Sequence, residues 1–281
     1  MQNFLGLIYG MVYGVAHVVP GLSGGTFLVV FGCYDTVCEA FALNFKMIKK
    51  HIIFLLLFGI GTVGGLVGFV HAITFLLDGF AIQTNLFFMG LILGGIPLIV
   101  KIATEEEKFK PVCIPPFLLG LGVVISLFLF EKLGVFTMHA ALDVDVWFIV
   151  RIVLYSFVAA IAMIMPGISG AFVLVAFGVY DMFMTAIKGL DLIVLIPAVI
   201  GILLGIVVGA KLILMILKKF KLIVYSAIIG MVIGSAAPLF PDGLGINIAT
   251  LTGVVCFILG GLISIIMGKK ESTGKSTVNN D

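Results

Sequence analysis

The side chains in this 281-residue chain that could handle a charged group gather around one doubled motif. PGLSGGTFLVVFGCYD, from Pro20 to Asp35, matches PGISGAFVLVAFGVYD, from Pro166 to Asp181, at ten of sixteen positions and an offset of 146. Pro, Gly, Ser and Gly inside an apolar stretch stop one helix and start another, because Pro disfavours helix at the residue before it and Gly permits the turn. Ser23 and Ser169 are then natural N-caps. Helix starts at residues 23–25 and 169–171 would expose unsatisfied N–H groups and roughly half a positive charge each. Such an end attracts an anion. The candidate anion-binding positions are Pro20, Gly21, Ser23, Gly24, Gly25 and Thr26 in the first motif, and Pro166, Gly167, Ser169 and Gly170 in the second. The competing reading is a tight connection between two ordinary spanning helices, which segment lengths of 16 and 19 residues do not exclude.

Ionisable side chains within apolar runs come next, since charge in lipid is costly and often functional. His17, three residues before Pro20, could donate to an anion, titrate near neutral pH, or simply pack as a neutral imidazole. Arg151 is the only arginine; it reads as a bidentate phosphate clamp or as a side chain that snorkels to the interface. His71 and Lys211 hold equivalent positions and could receive a headgroup at two entrances, though snorkelling explains them as well. Asp35 and Asp181, beside Tyr34 and Tyr180, are expected to end the motif helices, either as a solvated pair or as a site of proton or sodium coupling. No cofactor and no metal is expected.

These residues need a scaffold, and the composition specifies its solvent. Hydrophobic residues form 62% of the chain and charged ones 11%, with a mean hydropathy of +1.33. The charged fraction is less than half the roughly 25% of a soluble domain, which excludes a water-soluble globule. A net charge of +2, with no basic patch interleaved with aromatics, excludes nucleic acid as a partner. Ten apolar segments are predicted, near 4–19, 23–41, 52–77, 86–100, 116–130, 146–165, 169–187, 192–217, 222–240 and 246–267. Residues 268–281 are polar and are expected to be a disordered tail. The N-terminus lacks a basic leader and is expected to be retained. Cys33, Cys38, Cys113 and Cys256 fit no zinc or disulfide framework and read as small buried hydrophobes.

The repeat extends beyond the motif. Gly61, Gly65, Gly90 and Gly94 match Gly201, Gly205, Gly230 and Gly234 at an offset of 140, which divides the chain into five-segment copies at 1–133 and 134–267. Lysines in short loops favour the cytoplasm. With the loop of Lys46, Lys49 and Lys50 placed there, twelve lysines fall on that side, including Lys101, Lys108, Lys110, Lys218, Lys219 and Lys221. Only Lys132 and Lys188 fall outside. Both termini are then cytoplasmic. An odd number of crossings per copy turns the second upside down, the inverted-repeat plan of secondary transporters. The expected fold is an all-α integral membrane protein of two inverted copies, each opening with a re-entrant or broken-helix hairpin.

AHVVPGLSGGTFLVVFGCYD and AMIMPGISGAFVLVAFGVYD resemble the twin signature of the bacterial polyprenyl-phosphate transporters (PopT), long catalogued as a domain of unknown function. The resemblance covers the chain up to its tail. It implies a multi-pass protein of the bacterial plasma membrane that returns undecaprenyl phosphate, the carrier lipid of peptidoglycan and surface polymers, from the outer to the cytoplasmic leaflet. Ala171 stands where the first copy has Gly25, and Met163 where it has His17, so identical roles for the two motifs are not implied. Moving the phosphate unaided through hydrocarbon is costly; two helix starts and a nearby Arg or Lys would offset this, with the prenyl tail left in lipid. The expectation is a non-enzymatic flippase working by alternating access. A carrier of a small soluble anion and a structural assembly subunit are the alternatives. A lipid phosphatase is disfavoured by the single arginine and the lack of paired carboxylates.

Overall fold

In lipid a backbone must satisfy its own N–H and C=O groups, and a long apolar sequence does so as helix. The computed structural model describes residues 2–16, 23–68, 70–105, 107–134, 146–241, 244–245 and 247–278. Among these residues there are helices and no strand: α1 (Gln2–Ala16), α2 (Gly24–Val30), α3 (Tyr34–Phe41), α4 (Phe45–Lys50), α5 (Ile52–Gly68), α6 (Val70–Ala103), α7 (Ile114–Lys132), α8 (Val146–Ile164), α9 (Gly170–Ala176), α10 (Tyr180–Gly189), α11 (Leu192–Gly234) and α12 (Ile248–Val278). Five stretches are long and apolar enough to cross a membrane: Phe75–Ala103, Pro111–Phe130, Trp147–Ile164, Leu192–Leu239 and Ile248–Ile266. Phe4–Ala16 and Ile52–Gly68 are apolar but shorter. Leu56, Val67, Leu203, Met215 and Leu251 are exposed along α5, α11 and α12, without cost against lipid tails as apolar as leucine.

The structure corrects three boundaries. Residues 23–41 are not one helix, because α2 ends after seven residues and α3 begins at Tyr34. Gly32, at φ 73°, closes a Schellman turn: its N–H donates to Val29 O at 3.0 Å, and Cys33 N–H donates to Leu28 O at 3.0 Å. Gly178, at φ 68°, repeats this with Val175 at 2.8 Å and Val179 with Leu174 at 3.0 Å. At about 10 Å, α2 and α9 are far too short to cross a bilayer. Asp35 and Asp181 consequently do not end the motif helices. They stand in the first turns of α3 and α10, where a carboxylate meets the positive end of the helix dipole.

The other two corrections lengthen helices. Residues 192–217 and 222–240, expected as separate segments, merge through α11, interrupted only at Phe220 with φ −137° and ψ 46°. α6 is interrupted in the same way at Phe80, 140 positions earlier, with φ −138° and ψ 44°. α12, expected to end near residue 267, continues to Val278; once a helix exists, each further residue adds a hydrogen bond without a new nucleus. Cys33, Cys38 and Cys113 are buried, as anticipated, whereas Cys256 is half-buried.

Packing ties one half of the chain to the other. α1 packs on α5 and α8 on α11, while α6 packs on α12 and α7 on α11. At Gly90 the backbone of α6 meets the Phe257 carbonyl of α12 with no room for a Cβ, and at Gly230 α11 meets the Phe117 carbonyl of α7 in the same way. Both partners of the second contact lie 140 positions from those of the first. All seven residues of α2 are buried, at the centre of this assembly.

Candidate functional site

Ser23 and Ser169 occupy the N-cap positions of α2 and α9 in extended backbone, as their sequence context requires. Neither hydroxyl caps its own helix. Ser23 Oγ instead donates across the molecule to Ile168 O at 3.1 Å and Met165 O at 3.4 Å. In the opposite direction, Gly167 N–H donates to Thr26 Oγ1 at 2.8 Å. Gly167 follows Pro166 in the turn at φ +79°, a left-handed backbone that glycine adopts without strain. Gly25 lies against the carbonyls of Ile164 and Met165, with no space for a side chain. Tyr34 adds a hydroxyl donated to Ile164 O at 3.3 Å. The second corner is thus held by residues of the first motif, α2 and α3.

The two helix starts differ in their surroundings. Ser23 is 3% exposed and Thr26 0%, whereas Ser169 and Gly170 are half-buried and Pro166 is buried. Buried hydroxyls and amides are costly unless partnered, and here the start of α2 and the turn at Gly167 supply partners to each other.

Several predicted site residues are elsewhere. His17, Pro20 and Gly21 lie outside the described residues, as does the side chain of His71, whose backbone belongs to α6. Arg151 is half-buried on α8, 13 residues before Ile164, or about 20 Å along the helix axis. Ala159, whose carbonyl adjoins Gly170 at the start of α9, is eight residues from Arg151, or about 12 Å, along the same helix. Lys211 is exposed on α11, nine residues before Phe220. Gly24 is buried in α2. Asp35 is half-buried, with the Tyr225 hydroxyl 3.4 Å from both carboxylate oxygens, while Asp181 is exposed. Sequence reasoning missed Tyr225. A tyrosine within an apolar run was the available signal, since a buried phenol needs a polar partner.

Beside the end of α2 lies an apolar cavity of about 740 Å3, with Val12 and Val15 of α1, Phe31, Phe80 and Phe88 of α6, and Ile263 of α12 in its wall. Thr84 also faces it, but its hydroxyl donates to the Phe80 carbonyl at 2.8 Å and Leu76 at 3.2 Å. The space is shaped for hydrocarbon.

A multi-pass membrane protein, helical among its described residues, in which the start of α2 meets the turn at Gly167 in a polar contact, is the class that fold and site define. The chain belongs to the VCA0040-like, undecaprenyl phosphate translocase-like family, whose model matches residues 14–250. It is similar to the polyprenyl-phosphate transporter of Staphylococcus aureus (strain NCTC 8325 / PS 47), with 30% identity over 279 residues, 96% of this chain and 98% of that protein. It is also similar to the polyprenyl-phosphate transporter of Vibrio cholerae serotype O1, with 28% identity over 256 residues, 85% of this chain and 79% of that protein. No solved structure matches the chain.

Proposed function

We propose that the protein carries a polyprenyl phosphate, undecaprenyl phosphate in a bacterial plasma membrane, from the outer to the cytoplasmic leaflet by alternating access and without covalent chemistry. The observation that carries this reading is the mutual satisfaction of Ser23, Thr26 and Gly167 across the two corners. When the corners part, the Gly167 N–H and both hydroxyls are released together, and a phosphate oxygen can accept from each. Internal bonds worth about 1 kcal/mol are exchanged for charge-assisted ones about twice as strong, so a bound headgroup favours the opened state. Arg151 and Lys211 would meet the headgroup at an entrance.

Support for two inverted copies making about ten crossings comes from the matched breaks at Phe80 and Phe220 and the matched contacts of Gly90 and Gly230. Two equivalent sets of contacts offer two packings of similar energy, which alternating access needs. The lysine-rich loops and both termini would face the cytoplasm. The family and the names of its similar members favour a lipid cargo over a soluble anion, and so does the apolar cavity, which a small hydrated anion would not use. Of the two coupling candidates, Asp35 is the better placed, because the Tyr225 contact joins α3 to α11.

The test is reconstitution in liposomes, measuring leaflet exchange of a short-chain polyprenyl phosphate beside phosphate release from the diphosphate. Exchange without release supports the proposal. Release identifies a phosphatase, and neither activity returns the protein to the soluble-anion class.

A further inference from the structure

The break at Phe220 opens a second, chemically different cleft. Its volume is about 290 Å3, and its lining includes Lys110, Lys218, Lys219 and Lys221 against Glu107, with Phe220 in the wall. Lys110 is held by Glu107 at 2.7 Å and Lys221 by Glu105 at 3.3 Å. Lys218 is 74% exposed and only 3.8 Å from Glu39, a carboxylate that also accepts from Asn44 at 2.8 Å. Lys219 Nζ stands 5.2 Å from the centre of the Phe220 ring. Toward the apolar length of α11, Phe220, Met215 and Leu212 are exposed. Positive charge therefore borders a hydrocarbon surface.

The fold does not require those lysines. Phe80 adopts the same backbone angles as Phe220, yet Asp78, Gly79 and Ala81 stand where the second break has Lys218, Lys219 and Lys221. The cavity at Phe80 is apolar, whereas the cleft at Phe220 is basic. We infer that the Phe220 cleft binds the phosphate headgroup of an anionic phospholipid from the leaflet it faces, with Lys218 and Lys219 on the headgroup and an acyl chain along Met215 and Leu212. Basic pockets between membrane helices take such headgroups, and each juxtamembrane lysine adds to the attraction.

The test uses the full chain purified in neutral detergent, so that membrane orientation plays no part. Phosphatidylglycerol, phosphatidylcholine, inorganic phosphate and a short-chain polyprenyl phosphate are titrated separately, with native mass spectrometry for binding and thermal unfolding for fold. Phosphatidylglycerol should bind in preference to phosphatidylcholine. K218Q/K219Q should weaken it about 30-fold with unfolding unchanged, and K218R/K219R should retain it. Equal binding by K218Q/K219Q, equal stabilisation by inorganic phosphate, or binding of polyprenyl phosphate without phosphatidylglycerol would each overturn the inference. Leaflet exchange is a separate readout, so these results leave the proposed transport to its own test.

Discussion

Thr26 and Gly167, 141 positions apart in the chain, share a 2.8 Å hydrogen bond in which the glycine amide donates to the threonine hydroxyl. Thr26 is fully buried and Gly167 half-buried, so removing the acceptor deletes one intramolecular hydrogen bond. Thr26→Val should cost about 0.5–1.5 kcal/mol, the net worth of one hydrogen bond, while Thr26→Ser should stay close to the parent. Thermal unfolding of the purified proteins in one detergent checks both.

Gly32 and Gly178 terminate α2 and α9 in left-handed backbone. Gly32→Ala and Gly178→Ala should each lose about 1–2 kcal/mol through the Cβ–carbonyl clash. Gly59 has open space around it, and Gly59→Ala should instead gain about 0.5–1 kcal/mol from lower chain entropy in the unfolded state and better helix propensity. Opposite signs in chemical denaturation would establish that the turn, not glycine content, sets the cost.

How far these features could be read in advance depends on the range of the forces involved. The helix stop before Pro166 and the starts after Ser23 and Ser169 are local, and sequence alone places them. The stops at Gly32 and Gly178 were equally local, yet the apolar run before each hid them, because hydropathy does not register a turn within a largely apolar stretch. The use of Ser23 Oγ could not be anticipated: an N-cap serine ordinarily bonds its own helix, and only the arrival of the Ile168 carbonyl from the other half redirects it. The place of Arg151 relative to the second corner was likewise hidden, since it depends on how α8 packs on α9, which no local pattern encodes.

Gly90 and Gly230 let α6 reach α12 and α11 reach α7 at backbone contact. Gly90→Leu and Gly230→Leu should force the helices apart, costing 1–3 kcal/mol or more, as overpacking typically does, and about equally if the two contacts are equivalent. Folded yield after detergent extraction and thermal unfolding measures this. A large loss in one variant alone would break the proposed symmetry of the halves.

Asp35 is approached by Tyr225, and Asp181 is exposed. Asp35→Asn should abolish any dependence of lipid exchange on an imposed pH gradient, and Tyr225→Phe should weaken it. Asp181→Asn should leave it intact. Vesicles with a pH difference set across the bilayer give the readout, and an identical response from the two asparagine variants would remove Asp35 from the coupling role.

The most direct measurement compares leaflet exchange of a short-chain polyprenyl phosphate by the parent, Thr26→Ser and Thr26→Val proteins in the same liposomes. If the corners release their donors to the headgroup, Thr26→Ser exchanges lipid at nearly the parental rate. Thr26→Val, correctly folded and equally incorporated, then falls roughly 10- to 100-fold, the loss of one hydrogen bond to a charged group. Undiminished exchange by Thr26→Val would contradict the account.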